Sequence, residues 1–215
     1  MRPVRAFLPW LVCFYLGSNT AYAQTPEFYF SVLNQRSPSL IAEYWNPILE
    51  YVSKKSGVSL KLKIGKTAQE TTALTVRGEA QFAYTNHLFS PERVKFGWTV
   101  IARPNTEGIR GQLVVAQDSP IRSVDDLQEQ AVAFPSAEAF VGYKVPMDAL
   151  ARKRIQVNPV FAGNQEGVVG QLKAGKVAAA GMNESVIAAY GKRENFAYRV
   201  LWQSQKFQDL AIMTN

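Results

Sequence analysis

The chain has 215 residues, of which 47% are hydrophobic and 19% charged, with a formal net charge of +7. This composition belongs to a folded globular chain and excludes a disordered one. One Cys and one His exclude a multi-ligand zinc or iron–sulfur site, a disulfide framework and catalysis built on several histidines.

Arg2 and Arg5 precede an apolar run over residues 6–16 that is too short to span a bilayer, and Ala21-Tyr22-Ala23 has the form of a cleavage site. Residues 1–23 therefore read as a signal peptide, and the product is expected in the periplasm. Leu11-Val12 before Cys13 argue against lipidation. The leader carries two Arg and no acids, so the remainder stays basic, a mild bias that suits an anionic ligand. Arg152-Lys153-Arg154 reads as a solvated helix end, and no nucleic-acid partner is expected.

Residues 28–33 read as a strand. Ser37 and Pro38 then open a helix with Leu40, Ile41, Tyr44, Ile48, Tyr51 and Val52 at helical spacing, kinked at Pro47 and ended by Gly57. Residues 59–64 alternate as a strand. Thr67 to Glu70 form a capping box for a second helix, which Gly78 closes. Residues 81–84 form a short buried strand, a helix starts near Ser90, and 98–103 and 112–116 are strands. In the second half, Ser123 caps a short helix through Leu127. Residues 131–134 are a strand, and Ser136 caps a long helix to about Ala151. The alternation continues as strand 156–162, helix 164–175, strand 177–180, helix 182–190, strand 198–202 and strand 210–213. Such alternation implies mostly parallel sheets flanked by helices.

TALTVRGEAQFAYTN (72–86) and VGQLKAGKVAAAGMN (169–183) align so that Gly78 meets Gly175, Ala83 meets Ala180 and Asn86 meets Asn183. Two lobes of like construction would place both Asn at carboxyl ends of equivalent strands, where open α/β sheets bind ligands. Residues 170–176 mimic a phosphate loop, but Val177 replaces the required Ser or Thr and the order is helix to strand. No nucleophile and base stand at a recognisable spacing.

The polar residues that end strands are the binding candidates. Ser136 begins a turn into a helix, where a hydroxyl and free amides can cradle an anion. Tyr84, Asn86 and His87 end a buried strand and can donate or accept hydrogen bonds. Gln35, Arg36 and Ser37 follow the first strand, and Arg36 can clamp an oxyanion. Each has a plain alternative as a cap, a core group or a surface charge. Glu138, in the same first turn as Ser136, suits the helix dipole but would repel a dianion if it faced inward.

The strings FYFSVLNQRSPSLIAEYWNPILEYVSKKSGVSLKL, GEAQFAYTNHLFS, LVVAQDSPIRSVDDLQEQAVAFPSAEAF and AGKVAAAGMNESV resemble, in order, the substrate-binding proteins of phosphate/phosphite/phosphonate ABC transporters. The resemblance implies the α/β type 2 periplasmic-binding-protein fold, two lobes around a ligand cleft. It implies lobe one over 24–108, lobe two over 109–208 and a return strand over 209–215. It also implies ligand contacts at Tyr84, Ser136 and Asn183. Ala137-Glu138-Ala139 replace a hydroxyl-rich run, and Gln81 replaces an acid, so phosphonate itself is in question. Relatives continue beyond residue 215 with helices that complete lobe one; without them, apolar surface on that lobe should be exposed. The expected function is a monomeric, cofactor-free periplasmic binding protein for a small anion, serving an ABC permease. The alternatives are ligand presentation to a membrane sensor kinase or an enzyme on the same fold.

Overall fold

The computed structural model describes residues 26–215. The chain runs β1 (Glu27–Val32), α1 (Pro38–Ser56), β2 (Ser59–Leu62), α2 (Ala68–Val76), β3 (Phe82–Thr85), a one-turn α3 (Pro91–Val94) and β4 (Thr99–Ala102). It continues through β5 (Gly111–Ala116), β6 (Ala131–Phe134), α4 (Val145–Arg152), β7 (Asn158–Phe161), α5 (Gln165–Lys173), β8 (Ala179–Asn183), α6 (Glu184–Glu194), β9 (Tyr198–Gln203) and β10 (Ala211–Thr214).

The strands build two five-stranded sheets with orders β2-β1-β3-β10-β4 and β7-β6-β8-β5-β9. In each sheet three strands run parallel, and the fourth in spatial order, β10 or β5, is antiparallel to its neighbours. The two orders correspond strand for strand, so the halves are alike in construction. Gly78 and Gly175 match in that correspondence. Both take a left-handed φ, 74° and 65°, where an L side chain would be strained. Ala83 and Ala180 sit buried in the middle strands β3 and β8.

The local signals explain most element boundaries. Thr67 Oγ1 accepts from the Glu70 amide at 3.2 Å, and Asn164 Oδ1 accepts from the Gly167 amide at 2.8 Å. Gly57 ends α1 at φ 73°. Apolar side chains from both faces of the second sheet form its core, with Leu113, Val115, Val132 and Phe134 packed on one side and Val114, Ala133 and Ala180 on the other.

Three local expectations are corrected. Ser136 caps no helix: residues 136–139 make a turn, residues 140–144 a π-helical turn, and α4 begins only at Val145. Pro146 has no N–H to offer the Gly142 carbonyl four residues back, so the helical ladder widens there. Ser123 is not the cap of the turn at Asp125–Leu127; Asp126 Oδ2 instead accepts from the Arg122 and Ser123 amides, each at 2.9 Å. The Ser37 side chain makes no capping bond to α1. That helix is continuous through Pro47, which is exposed.

The segments joining the sheets pair with each other. Ile109 and Phe207 exchange two backbone hydrogen bonds of 2.8 Å. The first lobe leaves much apolar surface open. Tyr44, Ile48, Tyr51 and Val52 form an exposed stripe on α1, and Val100 and Ile101 are exposed on β4.

Candidate functional site

The carboxyl ends of the parallel strands in the two sheets face one another. After β1 comes Leu33-Asn34-Gln35; after β3, Asn86-His87; after β6, Pro135-Ser136; at the start of α5, Asn164-Gln165. These segments surround a compact chamber of about 30 Å³, lined among others by Gln35, Asn86, His87, Ser136 and Gln165. That volume holds about two water molecules. A larger chamber of about 550 Å³ adjoins it and shares Asn86, His87 and Phe140.

The two lobes touch directly around the compact chamber. The first residues of α2 and α5, Ala68 and Gln165, hold matching places in the internal repeat. Each gives its amide to the other lobe, to Gly163 O and Gln35 O, both at 3.2 Å. The Ser37 amide donates to Glu166 Oε2 at 3.0 Å. Arg93 donates to both carboxylate oxygens of Glu138 at 2.8 Å each.

Several groups in the chamber are held rigidly. Asn34 Nδ2 donates to Gly65 O at 2.9 Å and its Oδ1 accepts from Thr71 Oγ1. His87 Nδ1 lies 2.9 Å from Thr72 Oγ1 and 3.4 Å from Glu138 Oε2. Burial pulls the imidazole down to about pKa 4, against the opposing pull of Glu138, so the ring is neutral at pH 7. Glu138 is held below the usual carboxylate range, first by its hydrogen bond from Arg93. Facing inward, it is thus already neutralised as a pair.

Two chamber atoms stand apart. Ser136 Oγ and Asn86 Oδ1 are buried with no hydrogen-bond partner among the described residues. Ser136 belongs to the second lobe and Asn86 to the first, and both line the compact chamber. A buried polar atom left unpaired costs about 1–3 kcal/mol, so such atoms are normally satisfied by a bound group or water.

The structure gathers Gln35, Asn86, His87 and Ser136 around this chamber and places the other sequence candidates elsewhere. Tyr84 and Arg36 line a separate groove of about 310 Å³ beside α1, which Gln35 also touches. There the Tyr84 ring lies 5.1 Å from that of Trp45, the Arg36 guanidinium lies 4.8 Å over Tyr44, and burial pushes the Tyr84 hydroxyl up to about pKa 12. Ser37 contributes only its amide to Glu166. The Asn183 side chain caps α6, accepting from the Ser185 amide at 2.9 Å, and its own amide donates to Gln165 Oε1 at 2.7 Å. Sequence reasoning missed Gln165, which the repeat register pairs with Ala68 at a strand-to-helix junction, and the Arg93–Glu138 pair, for which no sequence signal existed.

Comparison with known proteins places this geometry. Residues 30–215 match the family described as ABC transporter, phosphonate, periplasmic substrate-binding protein. No curated protein matches the chain. Among solved structures, a binding protein component of an ABC phosphonate transporter from Pseudomonas aeruginosa is similar, with a TM-score of 0.74 and 15% identity over 88% of this chain and 68% of that one. PhnD1 from Prochlorococcus marinus, in complex with methylphosphonate, has a TM-score of 0.77 and 14% identity over 87% of this chain and 76% of that one. An arginine transport binding protein from Legionella pneumophila has a TM-score of 0.59 and 12% identity over 88% and 86% of the two chains. The fold is that of the type 2 periplasmic binding proteins, and the matched family is one of substrate-binding transport proteins rather than enzymes. With the match covering nearly all of the described residues, the chain belongs to the family of periplasmic substrate-binding proteins of ABC phosphonate transporters.

Proposed function

We propose that this protein captures a small oxyanion or anion-bearing organic molecule, phosphonate- or phosphate-like, between its two lobes and delivers it as a monomer to an ABC permease. Lobe one is residues 24–108, lobe two 109–208, and 209–215 return to lobe one. Residues 1–23 act as the cleaved leader. Closure bends the paired crossovers at Ile109 and Phe207. The reading rests on the unpartnered Ser136 Oγ and Asn86 Oδ1, which approach one chamber from opposite lobes. A ligand oxygen there accepts from the Ser136 hydroxyl. Asn86 offers its carbonyl to a protonated ligand oxygen or, after a half-turn of its carboxamide, its N–H groups. Neutral His87, its Nδ1 engaged by Thr72, has Nε2 left to donate or accept without the penalty of a buried charge. Gln35 and Gln165 close the polar wall.

A thermal-shift screen of residues 24–215 against phosphate, phosphite, alkyl phosphonates, sulfate, carboxylates and neutral controls tests this. Ligand at 100 times its Kd stabilises by about 2.7 kcal/mol, a rise of about 5–10 °C for a protein of this size. A selective anion hit whose shift Ser136→Ala cuts to about half supports the reading. A cooperative melt that no anion shifts overturns it.

A further inference from the structure

Building on that reading of the cleft, we infer that the ligand is an amphipathic organic anion whose compact polar head sits between Asn86 and Ser136 and whose bulky apolar or aromatic substituent fills the larger chamber. The compact chamber, about 30 Å³, admits little beyond a head group. The adjoining space, about 550 Å³, is in the range that encloses a substantial organic ligand. The two share Asn86, His87 and Phe140, so a head held at the first places its substituent at the second.

The lining supports an apolar substituent. Phe89 comes from lobe one, Phe140 from lobe two and Phe207 from the returning crossover, so three independent segments each present a phenyl ring to one space. Phe89, with the Arg103 guanidinium 5.3 Å over its ring, and Phe140 remain 44% and 38% exposed, so both keep apolar surface open. Phe140 and Phe207 meet edge to face at 4.9 Å, leaving ring surface for a third flat group. The charges disfavour a cationic substituent. Glu138 is paired with Arg93, and the remaining carboxylate, Asp209, faces two cations, Arg103 and Lys144, so the chamber lining carries an excess of positive charge.

The test titrates the purified chain with methylphosphonate and phenylphosphonate, two probes with one head. Phenylphosphonate is expected to bind at least about tenfold more tightly. In Phe89→Ala, a change at a half-exposed position, the preference is expected to fall below about threefold. Equal affinities, or tighter binding of methylphosphonate, overturn this inference and leave the head site standing. A phenyl preference that survives Phe89→Ala overturns the placement of the substituent. Binding of neither probe overturns this inference, and the parent reading falls with it only if no anion of the wider panel shifts the melt.

Discussion

Arg93, on the one-turn helix of the first lobe, closes with both of its terminal nitrogens on the two carboxylate oxygens of Glu138 in the second, at 2.8 Å each. Both side chains are mostly buried at the cleft, so this pair is screened less than a surface ion pair. It ties the lobes together without ligand. Glu138→Gln keeps the shape and removes the charge. It is expected to weaken the tie by about 1–2 kcal/mol and to enlarge the radius of gyration of the ligand-free protein in small-angle scattering. An unchanged radius would assign the closed arrangement to the backbone contacts at Ala68 and Gln165.

His87 makes the fold sensitive to acid. Its folded pKa of about 4 lies below the ordinary 6.5, so between these values the unfolded chain holds the extra proton. Stability therefore falls as pH drops from about 6.5 to 4 and is flat above 7, with a slope of up to about 1 kcal/mol per pH unit from this group. Protonation of Glu138, whose pKa is depressed, acts in the same direction at the low end. Melting temperatures across pH 4–8 should show this slope, and His87→Asn should flatten it.

Ser136 and Asn183, both nominated by the sequence, are expected to separate cleanly. Ser136→Ala removes an unpaired buried hydroxyl and should leave stability unchanged or raise it by about 1 kcal/mol, while weakening ligand binding about tenfold. Asn183→Ala removes the cap of α6 and should cost about 1 kcal/mol with ligand affinity preserved. Denaturant melts and titration of each variant give both numbers.

Gly181 in β8 has no room for a side chain. A Cβ there would overlap the Phe134 ring and sit 2.7 Å from the Gly142 carbonyl of the π-helical turn. Gly181→Ala should destabilise by about 2–3 kcal/mol, read as a lower denaturation midpoint, because backbone and a buried ring must both move.

Much of this architecture is legible in single residues. Thr67, Asn164 and Gly57 each announced a helix end by capping chemistry, and the repeat pointed to two lobes of like construction, which the two strand orders match. The site was less so, because matching positions took different partners. Asn86 is followed by a loop and keeps its carboxamide oxygen free, whereas Asn183 is followed at once by α6 and spends its own on the cap. Tyr84 shows the limit of motif reading. It lies two residues from Phe82 on the same face of β3 and so packs towards α1 and Trp45, a consequence of strand parity.

The place of β10 carries a consequence for biogenesis. This strand lies between β3 and β4, yet it follows all of the second sheet in chain order. During synthesis or export from the amino end, the earlier lobe stays as two unjoined fragments until nearly the last described residues emerge. The later lobe, continuous from β5 to β9, can settle first. A holding chaperone would therefore meet exposed β3 and β4 edges throughout, and the first lobe to be made would be the last to fold.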